Sequence, residues 1–179
     1  MTTYILLLRG VNIAKNPTSP VINMEQLRAE LRNLGYSDVY SHHKSGNLTF
    51  KTSDDIEEIK LNLRHKLSDT FDYEIGFDLL TLPKLQKIVT KFPYPSGEGI
   101  HNYVILVEEN KQEEFTARLS PSKVEQVSDL TSHVYWSTIK GHTRDTDIAK
   151  LLLDPAFKEH ITVRKLETLS KLTKSGSQQ

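Results

Sequence analysis

The sequence predicts an α+β protein made of two successive units, each with the element order β-α-β-β-α-β. Two strands, Tyr4–Arg9 and Tyr103–Val107, are apolar on both alternating faces, which is typical of a central strand covered on both sides. Each of them precedes a helix, two strands, a second helix and a last strand. The segment Phe92–Gly99, rich in proline and glycine, separates the two series.

The elements of the first unit follow from end signals and periodicity. Asn23 precedes a run of apolar residues at helical spacing and Gly35 follows it, so the two residues mark the ends of a first helix. Asp54 opens a second helix, and Thr81 opens a connecting helix that continues to Phe92. Strands are expected at Tyr4–Arg9, Asp38–His43, Leu48–Lys51 and 75–79.

The second unit repeats this order without repeating the residues. Asn110 opens its first helix, and Thr143 or Asp145 opens its second. Its strands are expected at Tyr103–Val107, Lys123–Val127, 134–136 and Ile161–Val163, before a closing helix at 166–172.

This element order is that of the ferredoxin-like fold, also called the α/β plait. The sequence therefore predicts two tandem ferredoxin-like units that are packed together. The predicted ranges are 1–92 for the first plait with its connecting helix, 93–101 for a linker, 102–174 for the second plait and 175–179 for a mobile tail.

Composition excludes several classes of function. The chain of 179 residues carries 23 basic and 23 acidic side chains, which argues against a polybasic nucleic-acid binder. Without cysteine it has no disulfide and no thiolate metal site, and its histidines lack an i, i+4 pair, so no metal or cofactor is expected. The apolar run after Met1 is too short for a membrane span and lacks signal-peptide features, so we expect a cytoplasmic protein that does not enter membranes.

Basic and amide residues follow the first strand and precede the third. Because these strands are antiparallel neighbours in a split βαβ unit, the two segments meet at one edge of the sheet. Arginine binds oxyanions through two hydrogen bonds, and glycine lets backbone N–H groups approach a ligand. The sequence thus predicts a site for a small anionic or polar molecule, which Arg164 joins if the last strand folds back. Its other residues are Arg9, Gly10, Asn12, Lys44, Ser45, Gly46 and Asn47.

Alternatives stay open at this point. Gly46 and Asn47 could simply form a turn, and Arg9 could pair with a carboxylate. The other class of function is a single-stranded nucleic-acid-binding or protein-interaction module without catalysis, since Tyr4 and Phe50 lie where RNA-binding plaits carry aromatic residues. No general base stands out, so the sequence does not decide whether the protein is an enzyme. Both a monomer and a homodimer fit the sequence.

Three motifs resemble those of one protein family. Leu7–Asn12 reads LLRGVN, residues 45–47 read SGN, and Thr162–Leu172 follows a pattern of threonine, arginine and threonine at fixed spacing. Together they resemble the family called domain of unknown function 1697. The resemblance implies a small, mainly bacterial α+β protein built from ferredoxin-like units, and it implies no activity. Lys165 stands where that family has an asparagine.

Overall fold

A computed structural model of the chain describes residues 1–12, 19–42, 46–130 and 132–177. Over these residues it contains two four-stranded antiparallel sheets and six α-helices. The chain divides into two compact units. The first is residues 1–87 together with the C-terminal residues from Lys171 onward, and the second is Ile88–Ser170. No helix within the described ranges is long and apolar enough to cross a membrane.

The first unit holds the sheet with strand order β2-β3-β1-β4. Strand β1 lies between two antiparallel neighbours, with Leu7 opposite Asn47 of β3 and Leu8 opposite Phe77 of β4. The unit ends within α3. Its elements are β1 (Thr2–Leu8), α1 (Met24–Asn33), β2 (Ser37–His42), β3 (Asn47–Thr52), α2 (Ile56–Phe71), β4 (Phe77–Thr81) and α3 (Leu82–Thr90).

Both predicted end signals of α1 are confirmed. The Asn23 side chain accepts hydrogen bonds from two backbone N–H groups of the first turn, at 2.9 and 3.2 Å. At the other end Gly35 has φ +87°. The next N–H, that of Tyr36, donates to the Leu31 carbonyl at 3.2 Å. This is the Schellman arrangement, which satisfies the last carbonyls of a helix.

Helix α2 begins one residue later than the sequence predicts. Its N-cap is Asp55, which accepts hydrogen bonds from the backbone N–H groups of Glu57 (2.9 Å) and Glu58 (3.0 Å). Asp54 instead donates its own N–H to the Thr52 hydroxyl at 3.2 Å. Asp54 and Asp55 have the same side chain and suit an N-cap equally well, so the sequence alone does not distinguish them.

Strand β1 is buried on both faces, as its sequence predicts. Leu6 and Leu8 lie in a core cluster with residues of α1 and α2. On the opposite face, Ile5 and Leu7 have no exposed surface. Phe50 of β3 is also fully buried, and its ring stacks on that of Tyr36 at 4.8 Å and on that of Tyr4 at 5.8 Å. The two aromatic residues that suggested base stacking therefore belong to the core.

Strand β2 lies at the edge of this sheet and is irregular. Its pairing with β3 shifts between Ser37 and Tyr40. Between them Asp38 adopts a left-handed backbone with φ +49°. The Asp38 carboxylate lies 2.8 Å from Nζ of Lys51 on β3. This irregularity has the features of a β-bulge, which increases the local twist of a strand.

The second unit holds the sheet with strand order β6-β7-β5-β8. Short 3₁₀ turns precede α4 and α5, and Thr146 caps α5 where the sequence predicts Thr143 or Asp145. Helix α6 continues through Ser175 and Gly176, which the sequence predicts as part of a tail. The elements are β5 (Ile100–Val107), α4 (Gln112–Ala117), β6 (Glu125–Leu130), β7 (His133–Ile139), α5 (Asp147–Leu152) and β8 (Ile161–Lys165). Helix α6 (Leu166–Ser177) begins in this unit and belongs to the first unit from Lys171 onward.

A buried carboxylate ties several parts of the second unit together. Glu125 is 8% exposed, and its Oε2 accepts a hydrogen bond from the indole N–H of Trp136 at 2.8 Å. Its Oε1 accepts from the backbone N–H of Ser122 at 2.7 Å and from that of Asp147 at 3.1 Å. One side chain thus joins β6 to β7, to the preceding loop and to the first residue of α5. In all three contacts a carboxylate oxygen of Glu125 is the acceptor.

We predict that Glu125→Ala destabilises the protein strongly. It leaves three donors without their acceptor, among them a buried indole, and we expect a loss of about 3 kcal/mol in the free energy of unfolding. Glu125→Gln keeps one oxygen as an acceptor, but its NH₂ group then faces an N–H donor. We therefore expect an intermediate loss in the free energy of unfolding. Urea denaturation of both variants measures this. Glu113→Ala on the exposed side of α4 is the control, and equal losses in all three variants would contradict the prediction.

Candidate functional site

The Arg9 side chain lies at the end of β1 and contacts the beginning of β4. Its backbone N–H donates to the Gly76 carbonyl at 2.8 Å, and its Nη2 donates to the Phe77 carbonyl at 2.8 Å. Its Nε lies 3.6 Å from Oδ2 of Asp78, and its side chain is 8% exposed. A Cβ atom at Gly76 would lie 3.4 Å from Arg9 Nε, so Gly76 lies directly beside the guanidinium group.

Asn12 holds together the two ends of the loop between β1 and α1. Its Oδ1 accepts the backbone N–H of Ile22 at 2.8 Å, and its Nδ2 donates to the Ile22 carbonyl at 3.0 Å. Its own N–H donates to the Pro20 carbonyl at 3.0 Å. Beside it, the Ser19 hydroxyl donates to the Gly10 carbonyl at 2.7 Å. The side-chain amide of Asn12 thus makes the same two hydrogen bonds, one accepted and one donated, that a backbone peptide group makes in a β-sheet.

Two glycines at this end of β1 have left-handed backbones but differ in how closely they are packed. Gly46 has φ +74°, and a Cβ there would lie 2.8 Å from Leu8 Cβ and 2.9 Å from Val11 Cγ2. Its carbonyl also accepts the Leu8 N–H at 2.8 Å, which fixes the start of β3 beside the end of β1. Gly10 has φ +64°, but no atom of the described residues lies within 4 Å of the place where its Cβ would be.

The structure brings together four of the predicted site residues: Arg9, Gly10, Gly46 and Asn47 lie where β1 ends and β3 begins. Asn47 has no exposed surface. Lys44 and Ser45 lie outside the described residues. Arg164 is on β8 and therefore belongs to the second unit, where its Nη1 donates to the Val163 carbonyl at 3.0 Å.

The sequence left open a simple turn at Gly46 and a carboxylate partner for Arg9, and the structure contains both features. Arg9 has a carboxylate near it, and Gly46 occupies a turn whose packing requires glycine. What the sequence misses is the side chain–backbone pairing between Asn12 and Ile22. The signal available was an asparagine followed by a long loop that returns to a helix, but asparagine is common in loops of many kinds. In the described part of the chain, no group of three or more His, Asp or Glu side chains could hold a metal ion.

Fold and site together define a mixed α/β protein with two antiparallel sheets and a buried arginine at the edge of the first. The chain belongs to the family described as Protein of unknown function (DUF1697), whose model matches residues 1–136. This range contains LLRGVN and SGN, whereas Thr162–Leu172 lies beyond it. The chain is also similar to the structure of the conserved bacterial protein SP0830 from Streptococcus pneumoniae, at 25% sequence identity and a TM-score of 0.82 over 98% of each chain. Among curated proteins no match was found.

We predict that alanine at the two glycines has unequal effects on stability. Gly10→Ala meets only the backbone penalty of a left-handed residue, about 1 kcal/mol. Gly46→Ala adds a steric clash with Leu8 and Val11, so a total loss of about 3 kcal/mol in the free energy of unfolding is expected. Chemical denaturation measures both values. Because the two backbones have similar φ angles, equal losses would show that the packing around Gly46 yields without cost.

Proposed function

We propose that this protein binds a small anionic or polar molecule at the edge of the first unit formed by Arg9–Asn12 and Ser45–Asn47. The observation that carries the proposal is the position of the Arg9 guanidinium group. It is nearly enclosed and fixed by the Phe77 carbonyl, yet it lies 3.6 Å from the Asp78 carboxylate. A charge-assisted hydrogen bond is shorter, about 2.7–2.9 Å, so the contact between Arg9 Nε and Asp78 Oδ2 is an ion pair without a short hydrogen bond.

Burial makes such an arginine attractive to anions, because charges interact more strongly where water is excluded. The backbone beside it favours access, because Gly10 is exposed and no atom of the described residues lies within 4 Å of its Cβ position. In this proposal Arg9 binds the negative group, while Asn12 and Gly46 hold the surrounding loops in place. Lys44 and Ser45 stay part of the sequence prediction alone.

The proposal includes the finer architecture and the location. In the first unit, the element order β-α-β-β-α-β and the strand order β2-β3-β1-β4 support a ferredoxin-like arrangement. The second unit supports it with the corresponding strand order β6-β7-β5-β8. A cytoplasmic location is supported by the apolar run near the N-terminus, since the fold uses it as the central strand β1.

The test compares variants at both members of the Arg9–Asp78 pair. Calorimetric titration with inorganic phosphate and with succinate should show saturable binding to the wild type. We expect Arg9→Met to weaken it at least tenfold, or about 1.4 kcal/mol, because the positive charge is removed. Asp78→Asn should strengthen it several-fold, because a competing carboxylate is removed while Arg9 stays.

Lys60→Met is the matched control, since it removes a positive charge from a partly exposed position on α2 and should leave the affinity unchanged. If Arg9→Met fails to fold, Asp78→Asn still decides the question. The proposal is wrong if the wild type binds neither anion, or if Asp78→Asn binds them no more tightly than the wild type does.

A further inference from the structure

Helix α3 carries three lysines on one face. Lys84, Lys87 and Lys91 follow one another at spacings of three and four residues, which places them within an arc of about 60° around the helix axis at 3.6 residues per turn. Lys91 comes directly after the last residue of α3, and all three residues are exposed. These residues form the lysine row of α3, a basic surface on one side of the helix.

The apolar face of α3 fixes the side on which the lysine row lies. Leu82, Leu85 and Ile88 are buried and define the inner side of the helix. A Cβ atom at Gly176 would lie 3.1 Å from Leu82 Cδ1, so the end of α6 packs against the beginning of α3. Because its buried face holds the helix in place, the lysine row stays on the outer side.

No carboxylate balances the lysine row at short range. Among the described residues, none lies within ion-pair distance, 4.0 Å, of Lys84, Lys87 or Lys91. The segment 82–91 also contains no aspartate and no glutamate. Lysines on other helices, such as Lys60 and Lys111, do form ion pairs, of 2.6 and 2.8 Å. The balanced charge of the whole chain therefore conceals a local surplus of positive charge on α3.

The other exposed side chains of α3 indicate the chemistry of a partner. They belong to Pro83, Gln86 and Thr90, and none of them is aromatic or a long aliphatic group. A helix that binds a lipid surface inserts apolar side chains, and protein interfaces are centred on aromatic anchors. Lysine, glutamine and threonine are instead side chains that contact nucleic-acid phosphates. Single strands also stack their bases on aromatic residues, which the exposed positions of α3 lack.

We propose that the lysine row of α3 binds the phosphate backbone of double-stranded nucleic acid without reading its sequence. Each ammonium group donates hydrogen bonds to phosphate oxygens, and each neutralised phosphate releases condensed counterions. Three such contacts give a slope of about −2.7 for the logarithm of the association constant against the logarithm of the salt concentration. Each tenfold rise in salt concentration then weakens the binding about 500-fold.

Fluorescence anisotropy of a labelled DNA duplex of about 20 base pairs measures the affinity of the full chain over a series of NaCl concentrations. The wild type should bind at low salt with the slope given above. Lys84→Met combined with Lys87→Met removes two of the three charges. We expect its slope to fall to about −0.9 and its affinity at low salt to fall about tenfold or more. Both positions are exposed and methionine suits a helix as well as lysine does, so this variant is expected to fold.

Lys60→Met combined with Lys158→Met is the matched control for this double variant. It removes the same number of charges from lysines outside α3, so its affinity and its slope should equal those of the wild type. The proposal is overturned by any of four results: no binding of the duplex at low salt, tighter binding of a single strand of the same length, equal losses in the two double variants, or an unchanged slope in the α3 variant. Binding of phosphatidylserine vesicles in place of the duplex is one form of the first result. Arg9 is unchanged in all of these proteins, so a failure here is separate from a failure of the first site.

Discussion

The antiparallel pairing of β1 with both β3 and β4 is the constraint on which the first unit depends. Each neighbour contributes one hydrogen bond at the end of β1: Leu8 donates to Gly46 on one side, and Arg9 donates to Gly76 on the other. These two bonds decide which loops meet. They place the left-handed Gly46 against Leu8, and Gly76 beside the guanidinium group of Arg9. Leu8 and Arg9 of the LLRGVN motif thus each bond to a glycine on a different side of β1.

Much of the fold could be predicted because its signals are local. Asn23 and Gly35 mark α1 through bonds that span only a few residues, and the doubly apolar strands identify the sheet centres. The predicted start of α2 was wrong by one residue, because Asp54 and Asp55 suit an N-cap equally well and the backbone N–H of Asp54 donates to the Thr52 hydroxyl. The two sheets have corresponding strand orders, β2-β3-β1-β4 and β6-β7-β5-β8, and in each the doubly apolar strand lies between two neighbours.

The sites were harder to predict because their contacts join distant parts of the chain. Nothing near Arg9 in the sequence indicates Asp78, and nothing near Asn12 indicates that its amide pairs with Ile22.

The bulge in β2 has a consequence for how this protein behaves at high concentration. A straight strand at the edge of a sheet can template a strand of a second molecule, which is a common route to aggregation. The left-handed residue Asp38 and the shifted register between Ser37 and Tyr40 interrupt that template, and the charges of Asp38 and Lys51 add to the barrier. One local irregularity therefore interrupts the regular row of backbone groups that this edge strand would present to a second molecule.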